Sequence, residues 1–180
     1  MGIGGYRRGM TDDTKRYAQG HLAASHAGWG SFRAAAERYR ESPWGTELAR
    51  LRDDVAEDRH RLEEIATHVG VDVNSGLHRL SQATLSVLGR STRMLHTRGE
   101  LGGISEVEKL RDAVAAKLAG WEILLVASAT DGRLPRPAIE GLIARAKDQA
   151  DRLRTVHLQM AQQVFNHEPV RSPWHRRQHG

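Results

Sequence analysis

The sequence predicts an all-α protein with one helical-bundle domain. Aromatic residues make up only 5% of the chain, so the residue types that favour strands are scarce. Apolar residues recur at helical spacings in five successive segments, which Gly- or Pro-containing breaks separate. With 180 residues the chain is long enough to bury one substantial core. We expect a disordered arm at 1–10, the bundle at 11–167 and a disordered basic tail at 168–180.

The first predicted helix begins at the capping signal Thr11-Asp12-Asp13 and runs to about Glu41. His21, Ser25 and Gly28 share its apolar face, and the two smaller residues would let another helix approach closely. The rest of that face is formed by larger side chains: Tyr17, Leu22, Trp29, Phe32, Ala36 and Tyr39. A break at Ser42-Pro43-Trp44-Gly45 ends this segment.

The second predicted helix runs from about Thr46 to Val69, and Gly70 ends it. Its apolar stripe has spacings of three, four and seven and consists of Leu48, Leu51, Val55, Leu62, Ile65 and Val69. Glu57-Asp58-Arg59-His60 reads as E-x-x-H, a metal-binding pair in helical bundles. The phase of the stripe turns Glu57 and His60 outward and places Asp58 inside it.

Three further helices follow. The third segment has apolar residues from Leu77 to Leu95, and Gly99 to Gly103 is a predicted loop. The capping box Ser105-Glu106-Val107-Glu108 predicts the start of the fourth helix, which reaches about Thr130. From Ala115 to Ala129 that helix is apolar nearly all round, apart from Lys117 and Glu122, so it should be central and buried. The fifth helix runs from about Arg136 to Asn166.

The lengths of the breaks predict a topology. Short breaks join the first helix to the second and the fourth to the fifth as antiparallel hairpins. After the first hairpin the chain has returned to the end of the bundle where it began, so the third helix must cross to the other end. This order matches a ferritin-like four-helix bundle of two hairpins with an additional crossover helix.

The chain resembles a group of actinobacterial ferritin-like helical proteins of unknown function. The resemblance is carried by His21 to Gly28 in the first helix and Leu51 to Asp58 in the second. Gly70-Val71 and Gly89-Arg90 add to it, as does the Ala-Arg-Ala segment of the fifth helix. It covers roughly residues 17–165 and implies a ferritin-like fold without an established activity.

Several polar residues fall on inward-facing positions. A sparse iron or manganese site would draw on Asp58, Glu122 and His157. At roughly 1.5 Å per residue their heights are too spread for a six-ligand di-metal site. The alternative is a buried polar network of Ser25, Trp29, Asp58, Glu122 and Gln149. Lys117 and Glu122 flank Trp121, which predicts a buried or partner-facing pair.

Composition bounds the function further. No cysteine is present, which excludes disulfides, thiolate metal sites and a Cys nucleophile. Met1 to Gly5 lacks the apolar region of a signal peptide, and the longest apolar run is too short to span a bilayer, so we expect a cytoplasmic protein. The net charge of +5 raises nucleic-acid binding as an alternative. The contacts would come from Arg7, Arg8, Arg171, Trp174, Arg176 and Arg177.

These observations favour a non-catalytic bundle that acts as a structural or protein-interaction module, has no cofactor and self-associates or binds a protein partner. Two alternatives stay open. One is a di-iron or di-manganese oxidase or iron-handling protein, and the other is a nucleic-acid-associated protein with basic arms.

Overall fold

The computed structural model describes the backbone of residues 3–73 and 100–166, and the side chains of 12–73 and 101–166. Within these ranges the protein is all-helical and has no strand, which confirms the predicted all-α class. The four helices are α1 (Ile3–Arg38), α2 (Gly45–His68), α3 (Glu100–Ala127) and α4 (Arg136–Phe165). The predicted helix at Leu77 to Leu95 and the predicted tail at 168–180 lie outside the described residues.

The four helices surround one core. α1 packs against α2 and α3, and α4 packs against the same two helices, so α2 and α3 face each other diagonally. Arg133 Nη1, in the turn between α3 and α4, donates to Val69 O at the end of α2 over 3.0 Å. At the other end of the bundle, Tyr39 Oη donates to Glu106 Oε2 near the start of α3 over 3.2 Å. α2 therefore ends at one end of the bundle and α3 begins at the other.

Two apolar clusters fill the interior. The lower cluster lies at the end where α2 stops and includes Leu22, Leu62, Ile65, Val69, Trp121, Leu124, Ile139 and Leu142. The upper cluster lies at the end where α3 begins and includes Phe32, Leu48, Leu51, Val55, Val107, Leu110, Leu153 and Met160. The stripe predicted for the second helix supplies residues to both clusters, because its spacing keeps one face of α2 inward over six turns.

Two helices begin earlier than the sequence predicts. α1 begins at Ile3 and not at Thr11, so the backbone of the predicted arm is largely helical. α3 begins at Glu100, so the predicted loop at Gly99 to Gly103 and the capping box at Ser105 do not mark its start. A glycine costs a helix only about 1 kcal/mol, and no proline interrupts either segment. Gly103 also meets the Tyr39 hydroxyl, where a Cβ atom would lie 2.9 Å from the oxygen.

The end of α2 agrees with its prediction. Gly70 has a positive φ of 87°, which glycine adopts without steric cost. The N–H of Gly70 donates to Thr67 O and the N–H of Val71 donates to Ala66 O, each over 2.9 Å. This is the Schellman pattern, and it satisfies carbonyls that the end of the helix leaves unpaired. Val71 then turns back into the lower cluster.

The apolar stretch of α3 is not buried all round. Trp121 and Leu124 are in the core, but Ile123 is 50% exposed and Val126 is 74% exposed. Glu122 lies on the same outward side and is exposed. α3 packs only against α1 and α4 among the described helices, so one side of it has no helical neighbour there.

The close approach between helices occurs at Gly120 of α3 and not at Gly28 of α1. A Cβ atom on Gly28 would meet no atom within 4 Å. A Cβ atom on Gly120 would overlap the imidazole ring of His21, which lies directly against the glycine backbone. The missing side chain of Gly120 therefore makes room for His21 between α1 and α3.

Gly120→Ala should destabilise the fold by about 1–3 kcal/mol, because the added methyl overpacks the site that His21 occupies. The free energy of unfolding in urea would measure the loss. Gly141→Ala is the matched control, since it lies in the exposed face of α4 with nothing within 4 Å of its Cβ position. The control should be neutral or stabilise the protein by up to about 1 kcal/mol through helix propensity. Equal effects of the two substitutions would contradict the steric role of Gly120.

Candidate functional site

A layer of polar side chains separates the two apolar clusters. Asp58 comes from α2, Lys117 from α3, and Arg145 and Gln149 from α4; we call these four residues the central polar layer. Asp58 and Gln149 are each only 1% exposed. The layer interrupts the apolar sequence of three helices at one height, so it divides the core into a lower and an upper half.

Three of these residues form a closed ring of hydrogen bonds. Lys117 Nζ donates to Asp58 Oδ2 over 2.6 Å, and Gln149 Nε2 donates to the same oxygen over 2.8 Å. Lys117 also donates to Gln149 Oε1. The amide of Gln149 thus gives its donor to the carboxylate and its acceptor to the ammonium, an orientation that satisfies both partners. The ring joins the diagonal helices α2 and α3, which do not pack against each other directly.

Arg145 closes the layer on its outer side. Its Nε lies 2.8 Å from Asp58 Oδ1. This contact is an ion pair without a hydrogen bond. The guanidinium also donates from Nη2 to Glu57 Oε2 over 3.1 Å and to the backbone oxygen of Asp54 over 3.3 Å. A single buried carboxylate therefore has two cations beside it, one interior and one partly exposed.

Burial and charge act on Lys117 in opposite directions. Burial lowers the pKa of its ammonium group, because a low-dielectric environment disfavours the charged form, and the facing Asp58 carboxylate offsets part of the shift. Removing one member of such a pair leaves the other as an uncompensated buried charge. Because its hydrogen bonds run between helices, the ring can also define their relative heights.

His21 lies beside this layer in a more apolar setting. Burial, helped by the charge of Lys117, lowers its pKa from 6.5 to about 4, so the imidazole is neutral at pH 7. Its ring meets the indole of Trp121 edge to face, with the ring centroids 5.2 Å apart. Both His21 Nε2 and Trp121 Nε1 are buried without a hydrogen-bond partner among the described residues.

The structure joins some members of the predicted polar network and separates others. Asp58 and Gln149 are bonded directly. Ser25 donates instead to the backbone oxygen of Leu22 in its own helix over 2.6 Å. Trp29 stacks against two guanidinium groups, with Arg33 at 5.4 Å and Arg59 at 5.1 Å from the ring centroid. Glu122 is exposed and Lys117 binds Asp58, so the predicted buried pair between Lys117 and Glu122 does not form.

The residues predicted for a metal site are not brought together. Asp58 already binds a lysine ammonium, and Glu122 points away from the core. His157 lies between α3 and α4, with Nδ1 3.0 Å from Arg111 Nη1 and Nε2 3.3 Å from Glu108 Oε1. The described part of the chain contains no group of three His, Asp or Glu side chains placed to hold a metal ion.

The E-x-x-H segment has the orientation that its periodicity predicts. Asp58 is buried, whereas Glu57 and His60 have side chains 52% and 69% exposed. His60 lies near Glu63 and Glu64 of its own helix, at 3.6 and 3.5 Å. The two residue types that would coordinate a metal in this motif therefore form surface contacts.

Several charged contacts had no sequence signal. Arg152 of α4 binds Glu47 Oε1 and Asp54 Oδ2 of α2 at 2.5 and 2.6 Å, which ties the upper halves of these helices together. In the lower turn, buried Asp131 accepts from Arg133 Nη2 over 2.6 Å. Hydrogen bonds from Arg133 lower the pKa of Asp131 below its usual range. Each contact joins residues on different elements or in a turn, where periodicity carries no information.

The residues that predict nucleic-acid binding lie at the two ends of the chain. The side chains of Arg7 and Arg8 lie outside the described residues, and so do Arg171, Trp174, Arg176 and Arg177.

None of the helices described is long and apolar enough to cross a membrane. Comparisons of the chain with protein-family models, curated proteins and solved structures find no match. The helices and the central polar layer of the described residues define the class of protein: an all-helical bundle with a buried ion-pair layer.

Asp58→Ala should destabilise the protein by about 3–5 kcal/mol, because Lys117 would keep a buried charge without its carboxylate. The double variant Asp58→Leu/Lys117→Met should recover much of that loss by replacing the pair with apolar side chains. Urea unfolding of both variants measures the two effects. Asp53→Ala is the control, since its side chain is 68% exposed, and it should change stability by under about 0.5 kcal/mol. A double variant less stable than Asp58→Ala would contradict the pairing argument.

His21 should make stability depend on pH between about 6.5 and 4. In this interval the unfolded chain binds a proton at His21 that the folded protein does not bind, so stability falls as the pH falls. The full shift corresponds to at most about 3 kcal/mol. The change in unfolding free energy between pH 7 and pH 4.5 should be smaller in His21→Gln than in the wild type. The exposed His60→Gln should match the wild type; an unchanged pH dependence in His21→Gln would contradict the prediction.

Proposed function

We propose that the protein is a non-catalytic, ferritin-like helical bundle that acts as a structural or protein-interaction module and self-associates. The observation that carries the proposal is the closed ring of Asp58, Lys117 and Gln149 at the centre of the bundle. This ring lies in the interior between the two apolar clusters, and its hydrogen bonds run among its own members. The cytoplasmic location predicted from the sequence belongs to the same proposal.

The arrangement of the helices supports the ferritin-like part of the proposal. α1 and α2 form one hairpin and α3 and α4 form the other, and each helix runs antiparallel to both of its neighbours. α2 ends at the opposite end of the bundle from the start of α3. Two hairpins joined by a long crossover meet this requirement.

The donors around the interior argue against the di-metal alternative. Such a site needs about four carboxylates and two histidines converging from four helices. Among the described residues the buried carboxylates are Asp58, in the central polar layer, and Asp131, in the turn at the lower end. Lys117 brings a positive charge to the place where a cation would bind Asp58, so the two would repel each other.

Exposed apolar side chains support self-association. Phe165 is 71% exposed at the end of α4, and Leu158 is 45% exposed on the same side of the helix, seven residues earlier. Residues seven apart lie one above the other on a helix, so the two form a short apolar stripe that is exposed among the described residues. A second copy of the chain, with the same stripe, would remove this area from water.

Metal analysis separates the structural module from the oxidase alternative. Tag-free protein incubated with ferrous or manganous ion and then desalted should retain far less than one ion per chain, because Lys117 blocks the only interior carboxylate of the central polar layer. Asp58→Ala and the surface control Asp53→Ala should give the same low content. One or two ions per wild-type chain, lost in Asp58→Ala and kept in Asp53→Ala, would overturn the proposal.

Light scattering after gel filtration tests self-association. The wild type should have a mass above that of one chain at micromolar concentration. Phe165→Glu should shift it towards the monomer, because a charge in the stripe must be desolvated when a partner covers it. Ala138→Glu, at an exposed position near the other end of α4, is the matched control and should leave the mass unchanged. A monomeric wild-type protein would refute self-association while leaving the bundle architecture intact.

A further inference from the structure

The outer side of the groove between α1 and α2 carries basic side chains around one indole ring. Trp29 of α1 is half-buried there. The guanidinium carbons of Arg33, from α1, and Arg59, from α2, lie 5.4 and 5.1 Å from the centroid of that ring. His26, on the same side of α1, contacts Arg59. We call His26, Arg33 and Arg59 the basic cluster.

The contact between Arg59 and His26 defines which ring nitrogen carries the proton. Arg59 Nη1 lies 3.4 Å from His26 Nδ1. A guanidinium only donates, so Nδ1 accepts and the neutral imidazole carries its proton on Nε2. Burial lowers the pKa of His26 and the charge of Arg59 lowers it further, while Glu63 opposes both. The Nε2–H of the neutral ring is therefore a further donor in the cluster.

The positive charge of the cluster is only partly compensated. Among the described residues Arg33 forms no ion pair, and its contact is the stacking on Trp29. Arg59 Nε lies 3.4 Å from Glu63 Oε1, but Glu63 also faces His60 at 3.6 Å. Arg59 Nε is buried and has no hydrogen-bond partner in this part of the structure. Like charges held beside one ring repel each other, so an anion placed between them would stabilise the arrangement.

Carboxylates limit the length of the ligand that the cluster can bind. Glu63 follows Arg59 by one turn at the lower end of the groove, and Glu37 follows Arg33 by one turn at the upper end. Glu37 contacts Arg40 at 3.2 Å and is not paired with Arg33. A chain of phosphates running along the groove would meet a carboxylate at each end, whereas a single small anion would not.

A phosphate group matches these donors in charge and geometry. A planar guanidinium presents paired N–H groups that fit two oxygens of a phosphate. Arg33 is exposed, so its guanidinium can move towards Arg59 without breaking an ion pair. Arg52, on the same side of α2, is already paired with Asp53 at 2.7 Å. Two guanidinium groups and one imidazole N–H are therefore available to the oxygens of one ligand.

We propose that the basic cluster binds the phosphate group of a small ligand, either inorganic phosphate or a phosphomonoester. Arg33 and Arg59 donate to its oxygens, and the Nε2–H of His26 supplies a further hydrogen bond. Trp29 holds the two guanidinium groups beside each other. The site goes beyond the proposed function, because it uses no residue of the central polar layer and none of the apolar stripe on α4.

A two-dimensional NMR titration of the full-length protein with inorganic phosphate, at constant pH and ionic strength, tests the site. The side-chain signals of His26, Arg33 and Arg59 should shift saturably, with a Kd on the order of 1 mM or tighter. Arg33→Gln should weaken binding at least about tenfold, because it removes charge-assisted hydrogen bonds. Arg154→Gln removes the same charge from an exposed position on α4 and should change the Kd by less than about twofold. No saturable shift in the wild type, or equal weakening in the two variants, would overturn the proposal.

Thermal unfolding gives a second measurement on the same proteins. Phosphate should raise the Tm of the wild type and of Arg154→Gln more than that of Arg33→Gln, since a ligand stabilises the state that binds it. Phenyl phosphate separates the two sources of the group: tighter binding than inorganic phosphate assigns a monoester, and weaker binding assigns the free ion. Labelled single-stranded DNA is the remaining arm. DNA binding that Arg33→Gln abolishes, without any saturable response to phosphate, would overturn the proposal and assign the cluster to a polyanion.

Discussion

One buried carboxylate sets the constraint that the rest of the bundle meets. Asp58 lies in the stripe that holds α2 in the core, and a carboxylate there is costly unless it is paired and hydrogen-bonded. Lys117 and Gln149 supply the pairing from the two helices of the other hairpin. For them to reach one oxygen, α2, α3 and α4 must stand at defined heights. Apolar contacts are non-directional, whereas the hydrogen bonds of the ring require these helices to keep defined relative heights.

The packing around the ring agrees with the relative heights at which it holds α2, α3 and α4. His21 occupies the space that Gly120 leaves free one turn below the layer, and Trp121 packs edge-on against it. Above the layer, Arg152 reaches from α4 to two carboxylates of α2. Below it, Arg133 joins the turn between α3 and α4 to the end of α2. Each contact links elements that are distant in sequence, and each is compatible with the helix heights that the ring requires. Such agreement between separate contacts is expected of a sequence that folds to one structure.

Periodicity alone predicted α2 well and α3 poorly, for the same physical reason. A helix with one apolar stripe has a phase, so the burial of Asp58 and the exposure of His60 follow from counting residues. The lower half of α3 is apolar on all sides, so its sequence pattern does not indicate which side faces the core. Periodicity therefore does not distinguish the inward Lys117 from the outward Glu122. The partner of Lys117 depends on contacts across the core diagonal, which no local pattern encodes. The glycines before Ser105 were misleading because a helix tolerates them where an aromatic side chain packs on the backbone.

The division of the core has a consequence for how the protein opens. The central polar layer interrupts the apolar interior. Contacts between apolar side chains therefore do not run continuously from one end of the bundle to the other. We therefore expect the lower half, which contains Trp121 and the turn at Asp131, to open separately from the upper half, which contains Phe32 and Arg152. One helix would then contribute slowly exchanging amides to both halves.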